Sequence, residues 1–488
     1  MSPNSIGKIN RLALLLATAI ALVATGCTSS MTTTATTQSS ATTGPAFLVG
    51  TDAPLASVVS FPVVVNSVTL TSSGGATANL ISGTPTVDFA RFNGLQTLID
   101  MNDVADGTYT GATISLGTAS IGYLNVPTCS PTPCTPAAPT IATINPATLT
   151  SSSVNVTFAN PLVIAHGSQP VGLRLDFDLA KSIQVNSSGA ITGSVTPTFD
   201  ATTVARQDLG GHIDTLIAGV STVPTNTTEP ASFAIQGPHG EQFTVNTTST
   251  TQWDGTASLS TLTTKDIVEV SGTLDAADQT LDADEVAIIS DAGFYATGQV
   301  TYVTPTSGAA SSFDLYVRGL EPTGVPISLG QIAQVNLTGT EKYFIYSLRN
   351  PLTQFVFNSS ALVAGQDVAV GGPQSGVVSE TSVAVDRIHL RNWGFNGTIV
   401  PKSQSSSNGT FQIQVSGFAG QLIPTPITVY AGGNCDFRYG FGAFSDLTDS
   451  TNVRVVGLLL KNPTNGQLVL WARHIDGFNF TDMSTFAF

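Results

Sequence analysis

The chain has 488 residues, which at roughly 150 residues per domain points to three or four domains. Charged residues make up only 10% and hydrophobic ones 41%, and the excess of Thr, Ser, Val and Gly suits strands and turns rather than coiled coils or helical bundles. The net charge of −15, from 17 basic and 32 acidic residues, leaves no basic stripe of the kind a nucleic-acid binder carries.

Residues 1–26 read as an export signal. Lys8 and Arg11 open it, and Leu12 to Ala24 is an apolar run. That run is shorter than the ~20 residues a spanning helix needs, and fits a signal-peptide core. Ala24-Thr25-Gly26 before Cys27 resembles the bacterial lipoprotein signal, although Leu is more usual where Ala24 stands. The resemblance implies that Cys27 is acylated, that the chain is membrane-anchored, and, with Thr28 rather than Asp next, that it goes to the outer membrane where there is one. Loss of Lys8 and Arg11 leaves 15 basic against 32 acidic residues, a net charge of −17. The segment from Cys27 to Gly44 is nearly all Ser, Thr and Ala, and reads as a disordered tether reaching roughly 23 Å.

Residues 45–206 alternate apolar and polar with period two. Val154, Val156 and Phe158 share one strand face, as do Leu173, Leu175, Phe177 and Leu179. This predicts an antiparallel β-sandwich, with a short helical turn within residues 92–104. Thr51-Asp52-Ala53-Pro54, Asp106-Gly107-Thr108-Tyr109-Thr110 and Leu175-Asp176-Phe177-Asp178-Leu179-Ala180-Lys181-Ser182 occur in that order. The set resembles a bacterial lipoprotein domain family of unknown function, which implies location and fold but no chemistry. Cys129 and Cys134 bracket Ser-Pro-Thr-Pro. In an exported chain they read as a local disulfide contributing only about 2 kcal/mol, with a metal or redox pair as the alternative. Cys435 is left over and reads as a small buried apolar residue.

If the Leu and Phe side chains of 173–179 point inward, Arg174, Asp176 and Asp178 point outward together. Asp176 and Asp178, with Asp52, are candidate oxygen ligands for a hard cation such as calcium, but no calcium-loop spacing occurs. The plainer reading is a solvated face balanced by Arg174 and Lys181.

The remainder repeats. Three stretches begin alike: Gly211-His212-Ile213, Gly298-Gln299-Val300 and Gly397-Thr398-Ile399. Phe233-Ala234-Ile235, Phe313-Asp314-Leu315 and Phe411-Gln412-Ile413 follow, then strands at Ile267 to Val270, Val368 to Val370 and Val453 to Val456. Each unit closes on Gly-Phe at 293, 394 or 477. The spacing predicts three tandem OB-like β-barrels over residues 207–292, 293–392 and 393–488, with insertions in the last two. The first resembles a second uncharacterised family of exported bacterial domains.

OB-like barrels bind oligonucleotides or oligosaccharides across one face. Charge and export disfavour nucleic acid and leave carbohydrate open. Trp253, Trp393 and Trp471, and the cluster Phe437, Tyr439, Phe441 and Phe444, are the candidate sugar-stacking residues. The competing reading is core packing. The five His residues (His166, His212, His239, His389 and His474) form no zinc-protease motif, and neither a nucleophile elbow nor a phosphate loop occurs. His389 and His474 read as structural. The sequence thus predicts a non-catalytic, lipid-anchored envelope protein, all-β, with a sandwich followed by three barrels extending outward. Its role would be structural, adhesive, or binding to polysaccharide or another envelope protein, with no cofactor unless calcium. The alternatives are a cation-dependent binding module and a hydrolase using an unrecognised carboxylate site.

Overall fold

Alternating Val, Leu and Phe residues build the first sheets. In the computed structural model the described residues are 42–477, apart from 54, 56–57, 93–96, 126–137, 169–170, 188–189, 206–211, 237–241, 255–257, 276–277, 279, 292, 323, 346–354, 417–419, 421, 424, 433–434 and 439. Strand Pro62–Ser72 turns Val63 and Val65 inward, slips register near Asn66, and then turns Val68 and Leu70 inward. It joins a nine-stranded sheet built on the long strand Gly107–Asn125. A four-stranded sheet covers it, in the order Phe199–Ala205, Val171–Asp178, Thr43–Ala53, Thr97–Ala105. Leu173, Leu175, Phe177 and Leu179 are buried as the alternation predicts, and Phe177 lies among Phe61, Phe89 and Phe199 with ring centroids 4.5–5.1 Å away. The predicted helical turn within 92–104 is a correction. The turn is a 3-10 helix at Phe89–Arg91, and Thr97–Ala105 is a strand because it pairs with Thr43–Ala53.

Thr43–Ala53 has two apolar faces. Ala46 and Leu48 enter the sandwich core, while Phe47 and Val49 enter the core of the next domain. A continuous apolar run is what burial on both faces requires.

Three units with one topology follow. The first uses His212–Thr222, Ala231–Gln236, Gln242–Thr247, Asp266–Asp275 and Thr280–Asp291. Its first strand pairs with the second and fourth, the second with the third, and the third with the fifth in parallel. That closes a five-stranded OB-type barrel. The third unit repeats the closure with Trp393–Ile399, Thr410–Val415, Ile427–Tyr430, Asn452–Lys461 and Leu468–Gly477. The second uses Phe294–Thr304, Ser312–Glu321, Ile332–Asn336 and Asp367–Gly372, and splits its last strand. Ser382–Ala384 pairs with the third strand and Arg387–Arg391 with the fourth, so its ladder breaks at Val385-Asp386. In each unit a short extra strand (Gln252–Trp253, Lys342–Ile345 or Asp436–Arg438) lies parallel to the last one.

Register corrects the sequence alignment of the repeats. Val268, Val368 and Val453 pair with Ala218, Gly298 and Gly397, so Ala218 is the counterpart of Gly298 and Gly397. Gly293-Phe294 and Gly394-Phe395 open units rather than closing them, since Phe294 starts one first strand and Gly394-Phe395 lies inside another, whereas Gly477 does end the last strand of the third unit. The barrels do not extend outward. Sandwich and barrels form one compact unit, and apolar clusters are shared between sandwich and first barrel, between second and third barrels, and among sandwich, second and third.

Gly298 lies at a register shift where a Cβ would sit 1.7 Å from the Tyr316 carbonyl oxygen. Gly298→Ala is therefore expected to destabilise the protein by more than about 2 kcal/mol, whereas Gly74→Ala, with only Ser72 Oγ at 3.9 Å, stays within about 0.5 kcal/mol. Denaturant unfolding of the two variants checks the contrast.

Candidate functional site

The residues singled out by sequence do not converge. Asp178 caps Leu179–Ser182 by accepting from the Lys181 N–H at 2.9 Å, and its other oxygen pairs with Lys181 Nζ at 2.9 Å. Asp176 faces Arg454 of the third barrel, and burial raises its carboxyl to about 6 against the pull of Arg454 and Arg174. Of the triplet, Asp176 alone faces another domain, whereas Asp178 is balanced by Lys181 as the plainer reading expects and Arg174 reaches Thr202 of the same sheet at 3.5 Å. The side chain of Asp52 lies outside the described residues, and among those described no three His, Cys, Asp or Glu cluster as metal ligands would. Cys27, Cys129, Cys134 and Tyr439 also lie outside them.

Phe437, Phe441 and Phe444 are half-buried against the third barrel's core, and Phe444 meets Phe411 edge-on at 6.1 Å. Trp471 stacks on Tyr430 at 6.0 Å within the second–third barrel cluster, and Trp253 packs by Phe233. Trp393 is 2% exposed, with the Arg318 guanidinium 4.8 Å over its ring. Cys435 packs against the third barrel, and burial lifts its thiol to about 12, far from a reactive thiolate.

What sequence reasoning missed is a cavity of about 380 Å³ where the four domains meet. The sandwich supplies Asp88, Arg91, Phe92 and Asp100, and the first barrel Thr215, Leu216 and Phe243. The second barrel supplies Tyr295, Arg318, Leu329, Asp367 and Arg391, and the third Trp393. Its size and mixed apolar walls fall within the range of small-molecule sites.

Arg391, on the last strand of the second barrel, organises one wall. Its Nε donates to Glu269 Oε2 at 2.7 Å and its Nη2 to Glu269 Oε1 at 2.6 Å, a two-pronged bond into the first barrel. Nη1 donates to Asp367 Oδ1 at 2.7 Å and Nη2 to Thr215 Oγ1 at 3.0 Å. All but Thr215 are nearly fully buried. Arg318 organises another wall, donating to the Ala90 carbonyl of the sandwich and to Gln299 Oε1, each at 2.9 Å. One guanidinium thus faces two buried carboxylates. Burial pushes Glu269 up, but the charge and hydrogen bonds of Arg391 and the Thr215 hydroxyl hold it below its ordinary value. For Asp367 burial wins, and its carboxyl rises to about 7 despite Arg391 and Arg318.

Two further seams carry buried charge. Asp214 of the first barrel lies 3.7 Å from His474 Nε2 and 3.8 Å from Arg473 of the third, and His474 Nδ1 meets Asp476 at 3.0 Å. His389 Nδ1 meets Asp254 Oδ2 at 3.2 Å between the first and second barrels, and its ring stacks on Phe344 at 4.6 Å. His389 and His474 are thus both buried at inter-barrel contacts.

Two family models match parts of the chain, both of unknown function: Domain of unknown function (DUF4382) over residues 47–192, most of the sandwich, and Domain of unknown function (DUF5666) over residues 226–287, most of the first barrel. No curated protein matches. Among solved structures, "drosophila Unr CSD456" aligns with 55% of this chain and 98% of its own, at 10% identity and a TM-score of 0.14, too low to bear on fold or function.

Arg391→Met strands Glu269 and Asp367 without their counter-charge and is expected to cost about 3–5 kcal/mol in denaturant unfolding. Asp291→Asn breaks the Arg387–Asp291 pair, whose acid is 60% exposed, and should cost under about 1 kcal/mol.

Stability should also fall with rising pH. Asp367, Asp176 and Glu285 all titrate above their ordinary values through burial, so between about pH 4 and 7 the folded state keeps protons that the unfolded chain has released. His474 adds to this slope. Burial lowers it, but Asp476 and Asp214 raise it more, so its contribution is present below its ordinary value and lost as pH rises through the higher folded value. Glu269 acts oppositely, and its contribution is lost as pH falls through its lowered value. A Tm that is highest near about pH 4 and falls toward pH 8 is the expected profile by calorimetry.

Proposed function

We propose that this chain is an exported, lipid-tethered envelope protein that works by binding rather than catalysis. The lipobox-like segment ending at Cys27 and the Ser/Thr-rich stretch after it support the anchor. The arrangement that supports binding is the lock around Arg391 and Arg318, which joins sandwich and barrels so that any recognition surface keeps a fixed shape. OB-type barrels and a net charge of −17 favour polysaccharide or another envelope protein over nucleic acid. Ligand sites concentrate where domains meet, as at the four-way cavity here.

The test has two arms. Palmitate labelling in a bacterial host should mark the full chain and vanish in Cys27→Ala; no labelling of the wild type removes the anchor. The detergent-solubilised chain should retain a bacterial polysaccharide or cross-link to an envelope protein in cells. Substrate turnover lost in His389→Ala would replace binding with hydrolysis. That second reading is favoured by one feature, the buried His389 ring held by Asp254 with Nε2 unpartnered, on a pocket of about 240 Å³.

A further inference from the structure

We infer that the four-way cavity is a binding site for a neutral polyhydroxylated ligand the size of a mono- or disaccharide, held by Asp367 Oδ2 and Trp393 Nε1. This rests on the binding reading above and names its site and ligand class.

Both atoms are buried without a hydrogen-bond partner, on residues only 1% and 2% exposed that line the cavity. A buried polar atom left unpaired is costly, so such atoms mark where a ligand or water completes the structure. One is a carboxyl oxygen, an acceptor when ionised and able to donate when protonated, and the other an indole N–H seeking an acceptor. A hydroxyl is both donor and acceptor, so one class of ligand satisfies the two.

The electrostatics select against charge. Asp88 is taken by the Phe61 N–H and Ser60 hydroxyl, and Asp100 by the Ser82 N–H and hydroxyl and the Met101 N–H. Arg391 is engaged by Glu269 and Asp367, and Arg318 by Ala90 and Gln299. Arg91 and Glu321, which also line the cavity, add one charge of each sign. A cation reaching Asp367 meets both guanidinium groups, and an anion reaching them meets Asp367. The volume of about 380 Å³ accommodates one or two sugar rings, and Phe92, Leu216 and Phe243 supply apolar wall for their C–H faces. Leu329, 58% exposed, also lines the cavity and gives it an apolar rim.

The experiment is saturation-transfer NMR and calorimetric titration of the full chain in detergent. The panel holds neutral hexoses, disaccharides and inositol, with a uronic acid and glucosamine as charged counterparts. Neutral members are expected to bind and charged ones to bind at least tenfold more weakly. Trp393→Phe, which keeps the ring and loses the N–H, should weaken binding about 3–10-fold, and Leu329→Trp, at an exposed position, should block it. Undiminished binding to both variants, or preference for the charged sugars, overturns the inference. So does a wild-type chain that binds no neutral member and holds ordered water only; retained polysaccharide or a cross-linked partner would then leave the broader binding reading standing.

Discussion

The molecule depends on where a charge-poor chain puts its charges. Arg391 reaches from the second barrel to Glu269 of the first with both prongs of its guanidinium, while holding Asp367 of its own barrel. A buried ion pair adds little net stability, because desolvation offsets most of the attraction. It is intolerant of misplacement, however, since a shifted first barrel leaves Glu269 buried without its guanidinium and two Arg391 donors without their acceptor. The same logic recurs at Arg318 with Ala90, at Asp214 with His474 and Arg473, and at Asp176 with Arg454. Apolar contact brings the domains together, and the polar contacts choose one orientation among the many that apolar contact alone permits.

The barrels share a topology, but their outer faces differ. Glu269, Ala369 and Arg454 each follow the valine that pairs with the first strand, so they occupy one register position in three copies. An acid, a methyl group and a base there give each barrel a different neighbour. Glu269 meets the second barrel and Arg454 meets the sandwich. Repetition supplies the scaffold, and divergence at single positions prevents the copies from stacking as an open array.

Much of this fold was legible in sequence because it rests on local pattern. Period-two runs such as Leu173 to Leu179 and Phe233-Ala234-Ile235 are strands with one inward face, and both are found so. The arrangement of domains was not legible. Its signal was present in runs apolar at every position, such as Ala46 to Val49 and Val455-Val456, which mark burial on both faces but not against what. The candidate site was hidden for the same reason. Asp88, Thr215, Asp367 and Trp393 come from four domains, and nothing in their spacing joins them. Asp176 and Asp178 attracted notice by adjacency, yet one faces another domain and the other caps a helical turn. Equating Gly211 with Gly298 failed because the first barrel's opening strand places Ala218, not a glycine, at the crossing point.

The placement of Thr43–Ala53 has a mechanical consequence. This strand is bonded along one edge to Val171–Asp178 in parallel and along the other to Thr97–Ala105 in antiparallel register. A force applied to the chain ahead of Thr43 cannot peel it from a sheet edge one bond at a time. It must shear two ladders together while drawing Phe47 and Val49 out of the first barrel's core. The strand that first takes such a force is thus held along both edges and on one face at once, and it yields by shear or not at all.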